Sequence, residues 1–485
     1  MTSKTFSAIF LLVGMLALGP GGCGSDDSTV PVSQQDHYLH VSPNGSSQND
    51  GSADSPLLLP FAAIKQAFVE GYRGVKLDAG LYVIYRGEID KRLYGGIDVI
   101  GGCDPDTWQH VPGQYSELSV PRVALLAQSI RVPTLVQGLE LMASGTLIYN
   151  NSATVLSLDN CGPELQFQTC RFTARDGYET DQPGDDGWEP ELSAEPDPGD
   201  PGDCNEAVVV AGGQAYGSGC TGGSGGNGGL PGEAGQDGRP GCGLWGAEGT
   251  PGGEPGQDGL DGRDGLDGED GDNATVTGGI GTFAFGQLFP LPANNGEAGS
   301  SGQGGVGGGG GGGSATGTGN GGGSGGNGGN RGQGGQGGYS GGHSVAAIFV
   351  NSESVFRQCL FTAGQGGDGT NGGNGSAGVA GSVGAPGGDA CPGEVGRGGH
   401  GGGGGDGGDG GAGAGGHGGA SYGLLIIGSI HPDTDADCSF VTGTPSSGGG
   451  GGQHGNGLSQ GADGLPGEVA EIKTVTLKSL SGTGK

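Results

Sequence analysis

Between residues 296 and 342, and again between 364 and 419, the sequence consists mostly of triplets such as Gly-Gly-Asn, Gly-Gly-Gln, Gly-Gly-Asp and Gly-Gly-His. Nothing else in the chain restricts its fold so strongly. Glycine packs no side chain and loses more backbone entropy on folding than any other residue, so these tracts cannot build a hydrophobic core. Their period of three leaves two outcomes. A polyproline-II-like strand has three residues per turn, so a Gly-Gly-Asn repeat puts every Asn on one edge and leaves two bare glycine faces. Bare faces let neighbouring strands approach closely enough for backbone N–H to C=O bonds and Cα–H to O contacts. The other outcome is a solvated, flexible linker. The sequence alone leaves both open.

The rest of the composition narrows the partners. Of 485 residues, 126 are Gly, and 52 acids face 19 bases for a formal net charge of −33. Such a chain repels nucleic acid and anionic lipid, whose capture depends on Lys and Arg contacts to phosphate. Cations are the natural small partners. Because the glycine tracts bury so little, one folded core assembled from separated pieces is expected.

Those pieces can be found by comparing three segments. "SATVLSLDNCGPELQFQTCRFTARDG" begins at Ser152, "SVAAIFVNSESVFRQCLFTAGQGG" at Ser344 and "SYGLLIIGSIHPDTDADCSFVTGTPSSGG" at Ser421. Each holds an aliphatic strand, a polar turn and a Cys-x-Phe: Cys170–Phe172, Cys359–Phe361 and Cys438–Phe440. Each then leaves into glycine or acidic sequence. The pattern is an internal repeat with long insertions at one corner. It predicts that Cys170, Cys359 and Cys438 stack as an inward ladder, and that Val345–Phe349 and Leu424–Ile427 pair as neighbouring rungs. Buried free Cys is common. With Cys23 set aside, nine cysteines remain, too odd a number for all to pair.

The N-terminal segments carry resemblances. "FSAIFLLVGMLALG" followed by "LGPGGCGSDDS" resembles a bacterial lipoprotein signal, which implies lipidation at Cys23. Pro20 departs from the usual aliphatic residue at that place; an ordinary secretory signal with a chance Cys is the other reading, and the chain would then be secreted. Gly24 in place of Asp implies the outer membrane or cell surface. Further on, "HVSPNGSSQNDGSADSP", "FAAIKQAF" and "VKLDAGLYV" resemble the N-terminal cap of right-handed parallel β-helix proteins of the pectate-lyase-like kind. "RLYGGIDVIGGCDPDTWQH" resembles a segment common in exported bacterial members of that group. The resemblance covers roughly residues 38–110 and implies a fold, not a chemistry. A helix from Pro60 would place Ile64, Ala67, Phe68 and Gly71 on one face, with Ile64 and Phe68 plugging the open end of the coil. The glycine tracts resemble glycine-rich repeats of mycobacterial surface proteins and polyglycine-II bundles of certain adhesins. Residues 223–241 and 256–271 resemble bacterial collagen-like sequence, broken at Leu244 and Pro255.

The resulting division is a signal peptide (1–22), a tether (23–36) and a cap with first coils (37–173). An acidic, Pro-rich and disordered loop (174–204) and a buried coil strand at 205–212, "NEAVVVAG", follow. Next come a collagen-like insertion (213–273), a coil segment (274–292) and a glycine-rich insertion (293–342). A coil (343–363), a second such insertion (364–419), a coil (420–443), a glycine loop (444–468) and a last strand with tail (469–485) complete it. The fold class expected is all-β: a right-handed parallel β-helix with an N-terminal capping helix and long glycine-rich insertions, partly disordered or polyglycine-II-like.

Candidate chemistry is sparse. "DTDAD" places Asp433, Asp435 and Asp437 at alternate positions, where an extended strand could hold Ca²⁺ weakly, or form only a solvated turn. Asp258, Asp261, Asp264, Asp267 and Asp270 recur every three residues as one acidic edge. His400 and His417 flank a glycine run. Lys and Arg are scarce between Arg175 and the final strand, which argues against a lyase base and so against catalysis. No other cofactor is expected. The reading is a non-catalytic surface lipoprotein, structural, adhesive or glycan-contacting, with the membrane as partner through its anchor and an extracellular glycan or surface protein as ligand. The alternatives are a polysaccharide-acting enzyme on the same scaffold and a collagen-like oligomer.

Overall fold

The computed structural model describes residues 35–84, 90–121, 125–144, 152–179, 181–191, 194–217, 219–244 and 248–476. The leader, Cys23 and nearly all of the tether lie outside these residues, as does the tail after residue 476.

Strand β1 (Gln35–Val41) leads through an Asn- and Gly-rich turn into helix α1 (Pro60–Glu70). Then come β2 (Tyr72–Asp78), β3 (Gly80–Val83), β4 (Asp98–Cys103), β5 (Ser116–Pro121) and β6 (Leu125–Gln128). Next are β7 (Thr134–Gln137), β8 (Leu139–Ser144), β9 (Ala153–Asp159), β10 (Leu165–Gln168) and β11 (Arg171–Ala174). After a long interval follow β12 (Thr282–Ala284) and β13 (Gln287–Phe289). The chain ends with β14 (Ser344–Val350), β15 (Val355–Arg357), β16 (Leu360–Ala363), β17 (Ser421–Ile427), β18 (Asp433–Thr434), β19 (Ser439–Val441) and β20 (Val469–Val475).

The structure is mostly strands in parallel sheets with one helix among the described residues. The sheets are β1-β2-β4-β7-β10-β15-β18, β3-β5-β8-β11-β16-β19 and β6-β9-β14-β17-β20. From β4 onward, leaving aside β12 and β13, successive strands visit the three sheets in rotation. The repeat read from sequence is therefore a spatial one. Ala347 pairs with Leu156 on one side and Leu424 on the other. Phe172, Phe361 and Phe440 align across three rungs.

Stacking holds the interior. Phe167 lies on Phe356 with ring centroids 4.7 Å apart, and Phe172 on Phe361 at 5.0 Å. Cys170 and Cys359 are buried and Cys438 is half-buried, with the Cys359 N–H donating to Cys438 Sγ at 3.5 Å, so the cysteine ladder forms. Helix α1 starts on Pro60, where the missing N–H costs nothing, and stops at Gly71, whose φ of 79° suits a glycine. Phe61, Ala63, Ile64 and Ala67 are its buried side chains. Phe68 is not a plug: it is half-exposed and stacks on Tyr94 at 4.6 Å.

All three excursions leave after the strand that carries the Cys-x-Phe phenylalanine (β11, β16, β19) and return at the next strand of the third sheet (β14, β17, β20). They are not flexible linkers. Gly402, Gly405, Gly408 and Gly411 donate to the carbonyls of Val306, Gln303, Ser300 and Glu297 at 2.7–2.9 Å. Gly404, Gly407 and Gly410 donate to Ser382, Val379 and Ser376 at 2.9 Å. The carbonyls of Gly399, Gly402, Gly405 and Gly408 accept from Gly323, Gly326, Gly329 and Gly332 at 2.8–3.0 Å. One strand thus bonds sideways in several directions, with a repeat of three, as a polyglycine-II array requires. Interior glycines are obligatory because a Cβ at Gly322 or Gly405 would overlap a neighbouring carbonyl.

Three sequence expectations are corrected by the bundle and its neighbouring hairpin. The acidic segment 174–204 is ordered at its described residues: Gly177, Gly184, Gly187 and Gly199 donate to Gln365, Asn371, Asn374 and Pro386 carbonyls at 2.7–3.0 Å. Residues 205–212 are not a buried coil strand. They join the bundle through the Val210 and Ala211 carbonyls, with Val208 and Val209 exposed. Residues 274–292 are not a coil segment either, since β12 and β13 form a separate antiparallel hairpin. The collagen-like runs take their partners within this one chain: Gly226 donates to Gly308 and Gly262 to His400. The hairpin explains why β14 and β17 are apolar without alternation. Their inner faces join the core shared by the three parallel sheets, while Val345, Ile348, Leu425 and Ile427 pack outside with Leu288.

Candidate functional site

The Asp433, Asp435 and Asp437 carboxylates do not converge. Asp433 pairs with Arg357 at 2.5 Å, Asp435 accepts the Gln358 N–H at 3.2 Å, and Asp437 is exposed. No cluster of three metal-ligating side chains occurs among the described residues. Cys23 lies outside them.

The acidic edge has a structural use that sequence reasoning missed. Oδ1 of Asp258, Asp261, Asp264, Asp267, Asp270 and Asn273 accepts the N–H of Arg397, His400, Gly403, Asp406, Asp409 and Ala412 at 2.6–2.8 Å. Asp368, Asn371 and Asn374 do the same for Ser447, Gly450 and Gln453. The signal was present: Asp and Asn interchange in the triplet register, and what they share is that oxygen.

Two of the concavities carry a tyrosine or tryptophan side chain. One is a half-open space of about 240 Å³ where the insertions rejoin β14 and β17, lined by Ile280, Leu291, His343, His417, Tyr422 and Glu468. His343 Nδ1 accepts the Ala420 N–H at 2.8 Å, and His417 Nδ1 accepts the Leu465 N–H at 3.0 Å. Both neutral rings therefore carry their proton on Nε2 and cannot use it as a metal ligand. The Nε2 of His343 faces the Ile280 carbonyl without a well-aligned hydrogen bond. The Tyr422 hydroxyl donates to Glu468 at 3.0 Å. These groups pin the hairpin and bundle to the parallel sheets.

The pin is sensitive to acid. Burial holds the His343 imidazole down to about 4, the Ile280 carbonyl opposing and His417 adding a smaller push. An unfolded chain protonates the same ring below about 6.5. Between those values the unfolded state binds the extra proton, so this contribution is complete above pH 6.5 and is lost as pH falls towards 4. The thermal midpoint should fall over that interval. In His343→Asn, which keeps an acceptor for the Ala420 N–H, the fall should be shallower, as a calorimetric pH series would show.

The other concavity is an open groove on the bundle flank. Trp188, Pro190, Glu191, Ser301, Arg331 and Gln333 line it, over a floor that includes Gly219 and Asn330. Its polar side chains include both donors and acceptors, and its one large apolar side chain is the indole. Among the described residues no helix is long and apolar enough to cross a membrane. Comparison with protein-family models, curated proteins and solved structures gives no match in any of the three.

Proposed function

We propose that the protein is an exported lipoprotein, anchored through Cys23, in which a right-handed parallel β-helix carries a rigid glycine bundle as a non-catalytic surface-contact element. One observation carries the reading. All the long excursions leave the coil at one corner and fuse into a single array bonded along its length. Binding faces built on such an array lose little conformational entropy on contact. The acidic balance keeps the bundle soluble and away from anionic polymers. The apolar leader and Cys23 supply export and a lipid anchor, and the cap motifs at 38–110 support the β-helix.

Labelling cells with a radioactive or clickable fatty acid tests the anchor. The chain should incorporate it, Cys23→Ser should not, and antibody should reach the bundle on intact cells. Label that persists in Cys23→Ser, or a protein confined to the cytoplasm, overturns the proposal.

A further inference from the structure

We infer that the groove at Trp188 is a subsite for a neutral polysaccharide, with one sugar ring seated on the indole face. This rests on the surface-contact reading above and names its ligand class.

A single exposed apolar side chain is ordinary; Trp188, 65% exposed, is set apart by lying in a groove whose other side chains, Pro190 aside, are polar. Its backbone does not belong to a floppy tip. The Gly187 N–H donates to the Asn374 carbonyl at 2.7 Å, and the Asp186 carboxylate accepts the Asn374 N–H at 2.7 Å. The Ser376 hydroxyl donates to the Trp188 carbonyl at 3.0 Å, and the Asn330 amide to the Glu191 carbonyl at 2.8 Å. The indole is thus held out on a rigid support, which removes much of the ordering cost of binding.

The surroundings choose the ligand class. Apart from Trp188 and Pro190 the lining is polar, so a lipid tail or an apolar peptide anchor finds no depth. A sugar ring has one face of polarised C–H bonds, which suits the negative face of an aromatic ring, and a rim of hydroxyls that both donate and accept. Glu191, Ser301, Arg331 and Gln333 provide both kinds of partner beside the indole. Arg331 is exposed and makes no ion pair among the described residues, so its planar fork is available to two adjacent hydroxyls. A polyanion is disfavoured by Glu189, Glu191 and Asp186 nearby and by the net charge of −33.

The test uses the full-length chain in detergent, titrated with hexasaccharides of cellulose, xylan, laminarin, mannan and dextran, and with alginate as the anionic comparison. Calorimetry and tryptophan fluorescence follow binding. At least one neutral hexasaccharide should bind at sub-millimolar concentration, with little change between 0.05 and 0.5 M salt, values chosen so that surface charge is screened. Trp188→Ala should weaken it at least tenfold, Trp188→Phe much less, and Arg331→Gln severalfold, with thermal midpoints unchanged. Absence of binding to every neutral sugar, undiminished binding by Trp188→Ala, or preference for alginate would each overturn the inference. None of these results alters fatty-acid labelling at Cys23 or exposure on cells, so the two proposals fail separately.

Discussion

Gly405→Ala should destabilise the protein by about 1–3 kcal/mol or more, whereas Gly403→Ala, two residues away on the same strand, should cost nothing measurable. A Cβ at Gly405 would overlap the backbone carbonyl of Leu266. That carbonyl belongs to a strand bonded along its length, so it cannot retreat alone, and overpacking of this kind costs about 1–3 kcal/mol or more. A Cβ at Gly403 would meet nothing closer than the Asp264 Oδ1 at 3.4 Å, an ordinary contact. Alanine there also restricts the unfolded chain, which gains about 0.5 kcal/mol where the backbone conformation is compatible. Denaturant titration and hydrogen-exchange protection of the bundle amides measure the contrast. Equal effects at both positions would mean that the glycines are not there for close approach.

Removing the Cys204–Cys391 bridge should cost about 5 kcal/mol on the chain-entropy estimate, the largest single effect expected in this molecule. The two residues are 187 apart in sequence, and their Cα atoms are 5.7 Å apart. The bridge ties the acidic excursion to the turn midway along the second glycine tract, so it closes most of the bundle into one loop. Cys220–Cys242 spans 22 residues and should contribute about 3 kcal/mol by the same argument. Paired Cys204→Ser and Cys391→Ser substitutions, compared with a Cys220→Ser and Cys242→Ser pair, test the order. Native thiol titration should leave buried Cys103, Cys161, Cys170 and Cys359 unreactive. If the shorter bridge proves the more important, the bundle keeps its order in the unfolded reference state.

The stacked parallel strands were legible because their signals are carried by side chains. Aliphatic runs at Ser344 and Ser421 and the Cys-x-Phe triads mark equivalent rungs, and the structure aligns them residue by residue. The bundle was only half legible because its order comes from backbone bonds. Composition measures whether a segment can bury apolar surface. By that measure residues 174–204 cannot fold, yet Gly184 and Gly187 stand three apart in the register that their partners Asn371 and Asn374 require. Trp188 gives no signal in the sequence for the same reason, being embedded in an acidic, Pro-rich segment. Val208–Val210 misled in the opposite sense. A valine run suggests a buried strand, but two of the three face solvent because the strand they belong to is held by its backbone. At the candidate site, the acidic row suggested a cation surface because sequence displays charge before it displays which oxygen accepts which N–H.

The threefold periodicity of the bonded strands has a bearing on how the molecule can change over generations. Gain or loss of a whole Gly-Gly-x unit shifts a strand by about 9 Å along its axis and preserves which edge each residue faces. Gain or loss of a single residue turns everything beyond it by a third of a revolution, driving Asp264 or Asn327 into a space where only a hydrogen atom fits. Length polymorphism in these tracts should therefore come in steps of nine nucleotides, with intermediate sizes purged.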